Sequence, residues 1–389
     1  MKPRLLVFSK LFWPEGGGAE LATYLFLRRY LARVFDVTVV SSTPKPITDV
    51  LKCCRYVTWG ALRSRVKPVE WALTTLGIDD IRGLIRWADV VYVPRYAYPI
   101  IPLAKALGKR VVVHLHDYQP VSYTAVVFHG DSFRSDFSRT FHYELHDHGL
   151  MRALITQLLV PLNRLSAYWV SMADTVICVS RRQCEIILSG LPELRGKANV
   201  IYNPLPEVKF LGKDPGGEPS FLYLGGVSYV KGFSVLVKAL ELLGDKLYRI
   251  YMTRIANVNM LPSALRNRIV AVGKIPYSEL PRLHHGAYAL LFPSIWEEPL
   301  PYVIIESMLM GTLPIASRTG GVPEIVEGSP AQDYLFEPRD EHRLADKMEE
   351  VISLGKEDVI EIGYKLREHT LRKFNENTIK ESLIKAFLG

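Results

Sequence analysis

At 389 residues, with 48% hydrophobic and 23% charged residues, the chain has an ordinary globular composition and length enough for two domains, each with a sizeable core. Its +8 charge is uneven: residues 1–200 carry 26 Lys and Arg against 16 Asp and Glu (+10), and residues 201–389 carry 22 against 24 (−2). No apolar run reaches the roughly 18–20 residues of a membrane span, nothing at the N-terminus reads as a signal peptide, and the basic residues are too dispersed for a nucleic-acid module.

Leu5 to Phe8 reads as a first strand, followed by Trp13-Pro-Glu-Gly16-Gly17-Gly18-Ala19-Glu20 and a helix through Leu21, Leu25 and Leu31. Three glycines let a backbone approach a ligand closely, and a following helix N-terminus offers N–H groups to an anion. Val37 to Ser41 is the second strand. Thr43 to Lys67 shows no clear period and reads as loop and helix, with Cys53 and Cys54 in it. Those two, with Cys178 and Cys184, form no C-x-x-C pair, which fits a reducing cytoplasm. Val90 to Val93 and Arg110 to His114 are buried strands, and the second enters His114-Leu-His116-Asp117-Tyr118-Gln119-Pro120. A histidine at the carboxyl end of a strand can donate to sugar hydroxyls or phosphate, and the period of two puts His114 and His116 on one face.

Between Ser122 and Gly149 lies an insert rich in aromatics and histidines, including Phe128, His129, Phe133, Phe141, His142 and His146. Aromatic faces stack on sugar rings, so an acceptor-binding loop or lid is expected there in preference to a metal site. Leu150 to Ala173 reads as one long helix with an irregularity at Pro161, and Thr175 to Val179 as the last strand of this half. Asn203-Pro204 and the Pro- and Gly-rich stretch to Gly217 form the interdomain linker.

In the second half, the strand Phe221 to Leu224 leads into Gly225-Gly226, Lys231-Gly232 and a helix from Phe233 to Leu243. A lysine just ahead of a helix N-terminus suits a diphosphate. Strands are expected at Arg249 to Thr253 and Ala287 to Phe292, with Ala271 to Pro276 and a helix from Tyr277 to Gly286 between them. Then comes a Pro-rich turn and a helix from Tyr302 to Met310, with Pro301 at the first helical position. Leu313 to Ser317 is a further buried strand, and Asp340 to Leu388 is mostly helical. Ligands of such strand-loop-helix-strand units lie at the carboxyl ends of the strands, so Glu298 and Glu306 face one crevice.

The ordered set Pro293-Ser294, Glu298, seven residues, Glu306, Gly311, Pro314 and Gly320-Gly321-x-Pro323-Glu324 resembles the nucleotide-sugar site of retaining glycosyltransferases of family 4. P-x-G-G-G-A-E at 14–20, H-D-x-x-P at 116–120, Val179-Ser180 and the Lys231-Gly232 pair also resemble that family. The resemblance implies an α/β fold of two facing Rossmann-like domains, the glycosyltransferase B architecture. An acceptor-binding domain would span 1–200, a donor-binding domain 201–370, and a C-terminal helix at 371–389 would return to the first domain.

It further implies His116, Lys231 and Glu298 as catalytic residues, with Lys231 on the leaving diphosphate. The donor would be held by Gly17, Gly18, Gly225, Gly226, Lys231, Lys274, Ile275, Glu298, Leu300, Tyr302 and Glu306, the last on the ribose. Glu20, Asp117 and Tyr118 would meet the acceptor. No metal and no cofactor is implied beyond the nucleoside diphosphate sugar itself. Two departures stand out. Gly226 occupies the place of a diphosphate-binding arginine, for which Arg254 is a candidate replacement. Pro301 replaces a glycine whose N–H meets phosphate, leaving the Leu300 and Tyr302 amides for that role.

The activity so implied is transfer of a sugar, with retention, to a glycan, lipid-linked or small-molecule acceptor in the cytoplasm. The basic first half would allow peripheral contact with an anionic membrane face. Two competing readings are a catalytically weak nucleotide-sugar-binding subunit and a nucleotide-sugar epimerase on the same fold.

Overall fold

The computed structural model describes residues 1–64, 66–131, 135–255 and 257–389. The chain divides into two compact units, one formed by Met1–Val127, Ser132–Pro204 and Glu376–Gly389, the other by Phe128–Asp131 and Leu205–Asn375. Phe133, one of the insert's aromatics, lies outside the described residues.

The first unit is built on a seven-stranded parallel sheet: β1 (Arg4–Ser9), β2 (Asp36–Ser41), β3 (Arg55–Thr58), β4 (Val90–Val93), β5 (Arg110–Leu115), β6 (Thr175–Cys178) and β7 (Ala198–Val200). Their spatial order is β3-β2-β1-β4-β5-β6-β7. Leu5, Leu6, Val7 and Phe8 of β1 are fully buried, as parallel strands covered on both faces require, and each contributes about 1.5–3 kcal/mol of burial. The order reverses between β1 and β4, which makes their carboxyl ends the crevice of this unit. The helix Glu376–Leu388 packs here: the Phe387 ring lies 4.9 Å from that of Tyr92 and 6.0 Å from that of Phe35, and Arg110 Nη2 donates to the Ala386 carbonyl at 3.1 Å.

The second unit has six parallel strands: β8 (Ser220–Tyr223), β9 (Arg249–Thr253), β10 (Ile269–Gly273), β11 (Ala289–Phe292), β12 (Leu313–Ser317) and β13 (Leu335–Phe336). The order β10-β9-β8-β11-β12-β13 repeats the same winding, with the reversal between β8 and β11.

Several segments differ from the sequence reading. The stretch 43–67 contains β3, a short edge strand whose residues are partly solvated and give no apolar alternation. The expected long helix 150–173 is two helices, Leu150–Gln157 and Asn163–Ser171, separated by a tight turn at Val160–Leu162. Pro161 has no N–H for a helical bond and clashes with the preceding turn, so the helix stops there. Pro301 is the residue capping the helix Tyr302–Leu309, one position before its first turn. Among the described residues, no helix is long and apolar enough to cross a membrane.

Candidate active site

At the switch point of the second unit three loops converge, and two glycines permit it. A Cβ on Gly232 (φ 73°) would sit 1.7 Å from the Pro293 carbonyl oxygen, and one on Gly320 (φ 50°) would sit 1.9 Å from that of Glu298. Only a residue without a Cβ closes the β8 and β12 loops onto the β11 loop. Gly232 caps the helix Phe233–Leu242, and the side chain just before it, half-buried Lys231, is ion-paired with Glu298. Trp296 Nε1 donates to the same Glu298 Oε1 at 3.0 Å, and the Lys231 ammonium lies 5.6 Å from the Trp296 ring centroid. Lys231 and Glu298, distant in sequence, thus form one cationic and one anionic group at a helix N-terminus.

Glu297 is turned the other way. Its Oε2 accepts from the Gly320 N–H at 2.6 Å and its Oε1 stands 3.2 Å from His129 Nδ1. Phe128 of the aromatic insert pairs with Trp296, and the His129 N–H donates to the Ile295 carbonyl at 3.1 Å. Part of the insert therefore braces the Glu297-Glu298 loop.

Gly226 has φ 64°, and a Cβ built on it would lie 3.1 Å from the Cβ of Arg254, an exposed residue itself at φ 56°. The Arg254 side chain starts beside the place a residue-226 side chain would take. Gly225 lies against the Tyr223 ring, 2.7 Å from it for a built Cβ.

Glu306 is buried in the first helical turns after Tyr302, and its Oε1 accepts from Tyr277 Oη at 2.7 Å. Burial pushes its carboxyl up to about 7, against the lowering effect of the Tyr277 hydrogen bond. The protonated form is therefore the one folding favours. Its stabilising contribution is complete below pH ~4.5 and is lost as pH rises through ~7. We expect Glu306→Gln to stabilise the unliganded protein at pH 8 by about 3 kcal/mol and by almost nothing at pH 4, read from denaturant melts at both pH values. Equal effects at the two pH values would refute the buried, neutral carboxyl. Tyr277 had no motif to announce it; its only signal was its place directly after Lys274-Ile275-Pro276. Of these, Lys274 is exposed and Ile275 half-buried at the end of β10. Leu300 and Tyr302 are buried, which leaves their backbone for any ligand contact.

In the first unit the sequence reading missed the central residue, Arg95. It follows β4, directly at the β1/β4 switch. Its Nε donates to Asp117 Oδ2 at 2.6 Å, its Nη1 lies 3.4 Å from Glu20 Oε1, and its Nη2 meets the Tyr96 hydroxyl. Arg95 (φ 95°) and Tyr96 (φ 64°) both occupy left-handed backbone. Strain of this kind persists where surrounding contacts over-determine it, and it clusters at functional sites. Glu20 Oε2 also accepts from the Gly17 N–H at 2.7 Å, fixing the start of the helix Gly18–Phe26. Glu20 and Asp117 are thus joined to each other through Arg95. Tyr118 is fully buried, its ring part of the core.

His114 and His116 share a face and stack, ring centroids 4.3 Å apart. His114 is fully buried and shares a 2.9 Å hydrogen bond with the Tyr92 hydroxyl, whereas His116 is only partly covered. Burial, reinforced by Arg95, pushes the His116 imidazole down to about 3, and its buried Nε2 has no hydrogen-bond partner among the described residues. It is a neutral hydrogen-bonding group at physiological pH, not a cation.

Two doubly wound parallel sheets of this order are the architecture of GT-B glycosyltransferases. The Glycosyltransferase Family 4 model matches residues 16–207 and the Glycosyl transferases group 1 model residues 207–368; the chain belongs to this family. It is similar to spore coat protein SA of Bacillus subtilis (strain 168), 22% identical over 185 residues, covering 44% of this chain and 49% of that protein. The chain thus spans about half the length of the curated relatives it matches. Two solved structures share the fold. Anabaena Alr3699/HepE in complex with UDP and glucose matches with TM-score 0.70 at 17% identity over 100% of both chains. Sucrose-phosphate synthase from Thermosynechococcus elongatus matches with TM-score 0.71 at 17% identity over 100% of this chain and 98% of that one.

Proposed function

We propose that the chain is a retaining hexosyltransferase that moves a sugar from a nucleoside diphosphate sugar to a glycan or lipid-linked acceptor. The observation that carries this reading is the Lys231–Glu298 pair at the helix N-terminus of the β8/β11 switch. The helix amides and the Lys231 ammonium would take the charge that develops on the departing diphosphate. Arg254, emerging beside Gly226, would supply the second cation. Glu306 would anchor the ribose, and Glu298 and neutral His116 would hold the sugar hydroxyls. The bond from the anomeric carbon to the phosphate oxygen breaks as the acceptor oxygen bonds to the same face, and the acceptor's hydroxyl proton passes to the leaving phosphate oxygen. No cofactor beyond the donor is needed. The enzyme would act in the cytoplasm and touch the anionic membrane face through its basic first half.

The test is a thermal-shift screen over UDP, GDP and ADP sugars, with UDP and glucose first because HepE holds both. One nucleotide series is expected to stabilise by about 2.7 kcal/mol at 100 times its Kd. No shift with any series would refute the donor site. Release of nucleoside diphosphate only when acceptor is present then separates transfer from mere binding, and interconversion of donor sugars without acceptor would instead indicate an epimerase.

A further inference from the structure

The Tyr277–Glu306 contact joins two loops of the second unit. Tyr277 opens the short turn Tyr277–Glu279 that follows β10, and Glu306 lies in the helix Tyr302–Leu309 that follows β11. The half-buried tyrosine donates to Oε1 of the buried glutamate at 2.7 Å, and among the described residues Oε2 makes no hydrogen bond. Burial, reinforced by the neighbouring carboxyl, pushes the Tyr277 hydroxyl up, so it keeps its proton and remains a donor across the working pH range. With Oε1 taken by that donor, the carboxyl plane is fixed and Oε2 is the oxygen left for a ligand.

Two ribose hydroxyls can both donate to this carboxyl only when it is ionised, because the protonated form uses one oxygen as a donor. In the unliganded protein the carboxyl holds its proton up to about pH 7, so a ligand that selects the ionised form must expel it. Affinity for such a ligand then falls as pH drops through 7 and levels off above it. Few ionisable groups surround the pair. Tyr302, in the first turn of the same helix, and Glu207 of the linker both push the Tyr277 hydroxyl up further. The helices packed against 302–309 bring buried Glu324 and Arg367, and the arginine donates to the Leu309 carbonyl at 2.7 Å, at the far end of the helix. The neighbouring strands β11 and β12 carry no ionisable residue. Among the described residues no cation acts on Glu306, so Tyr277 is the group that lowers its proton affinity.

We propose that Tyr277 is a positioning residue of the donor site: its hydroxyl holds Glu306 ready to accept the ribose hydroxyls, and donor binding expels a proton from the pair. This role rests on the donor reading above and adds to it the tyrosine and the proton. The test is titration calorimetry of the full chain with UDP-, GDP- and ADP-glucose between pH 6 and pH 9. Each titration is run in two buffers of different ionisation enthalpy, which counts the protons released. The nucleotide sugar that binds should do so about tenfold more weakly at pH 6 than at pH 8, with close to one proton released at pH 6 and almost none at pH 8. Glu306→Gln should bind weakly at every pH and release no proton. Tyr277→Phe should move the midpoint of the pH profile up by roughly one unit and regain affinity by pH 9. A loss by one constant factor at every pH would mark Tyr277 as packing alone and overturn the proposal, as would pH-independent binding by the wild type without proton release. If none of the three nucleotide sugars binds at any pH, the donor reading itself falls and this role with it.

Discussion

Lys231→Ala is expected to lower turnover in sugar transfer about a hundredfold, roughly 2.7 kcal/mol of barrier, with a much smaller change in the apparent affinity for donor. The lysine stands just before the N-terminus of Phe233–Leu242, where its charge adds to that of the helix amides. In the proposed reaction negative charge on the diphosphate grows as the sugar leaves, so the interaction would strengthen towards the transition state and appear in kcat. The substitution also leaves the Glu298 carboxylate with the Trp296 N–H as its side-chain partner among the described residues. Because a third of the lysine side chain is exposed (34%), solvent screening limits that structural loss to about 1–2 kcal/mol. The nucleotide-induced thermal shift separates the two effects. A variant that still binds nucleotide but turns over slowly has lost the countercharge; unchanged kcat would eliminate Lys231 from the reaction. Lys231→Arg keeps the charge and should recover part of the rate.

Lys231, Glu298 and Glu306 were legible because each belongs to a run in which strand, loop and helix follow one another within some thirty residues. Local pattern was enough there, since each of these residues lies in a strand-loop-helix run recognisable by itself, although the strands β8 and β11 that carry the runs are not consecutive. The β1 and β4 ends are brought together by topology, and Arg95 was lost for that reason: its partners Glu20 and Asp117 lie 75 and 22 residues away. A lone arginine after Pro94 looks like any solvated surface charge. Recognising that β1 and β4 flank the reversal in strand order would have pointed to the residue after β4. The sheets themselves were readable wherever strands are buried on both faces, as at Leu5–Phe8 and Leu313–Ser317. They were not at β3, whose short edge strand is half solvated, or at the two-residue β13. The role of Phe128 and His129 was hidden because their partners Trp296 and Glu297 come from the other half of the sequence.

Arg95→Ala should destabilise the protein by about 3 kcal/mol, because it strands two carboxylates that are almost wholly out of water, Glu20 at 6% and Asp117 at 3% exposure. In a unit of about 200 residues that is a fall in Tm of roughly 6–12 °C. Arg95→Lys should recover only part of it, since an ammonium is a point charge and cannot present the guanidinium's fork to both acids. Adding Glu20→Gln and Asp117→Asn to Arg95→Ala should restore most of the stability by removing the stranded charges. The backbone supplies an independent check. At φ 95° an alanine keeps the strain of a side chain in left-handed backbone, whereas glycine does not. Arg95→Gly should therefore be about 1 kcal/mol more stable than Arg95→Ala, the reverse of the usual order for these two residues in regular structure. If alanine proves the more stable, residue 95 is not held in the left-handed region, and the strained turn after β4 is refuted along with the ion cluster that depends on it.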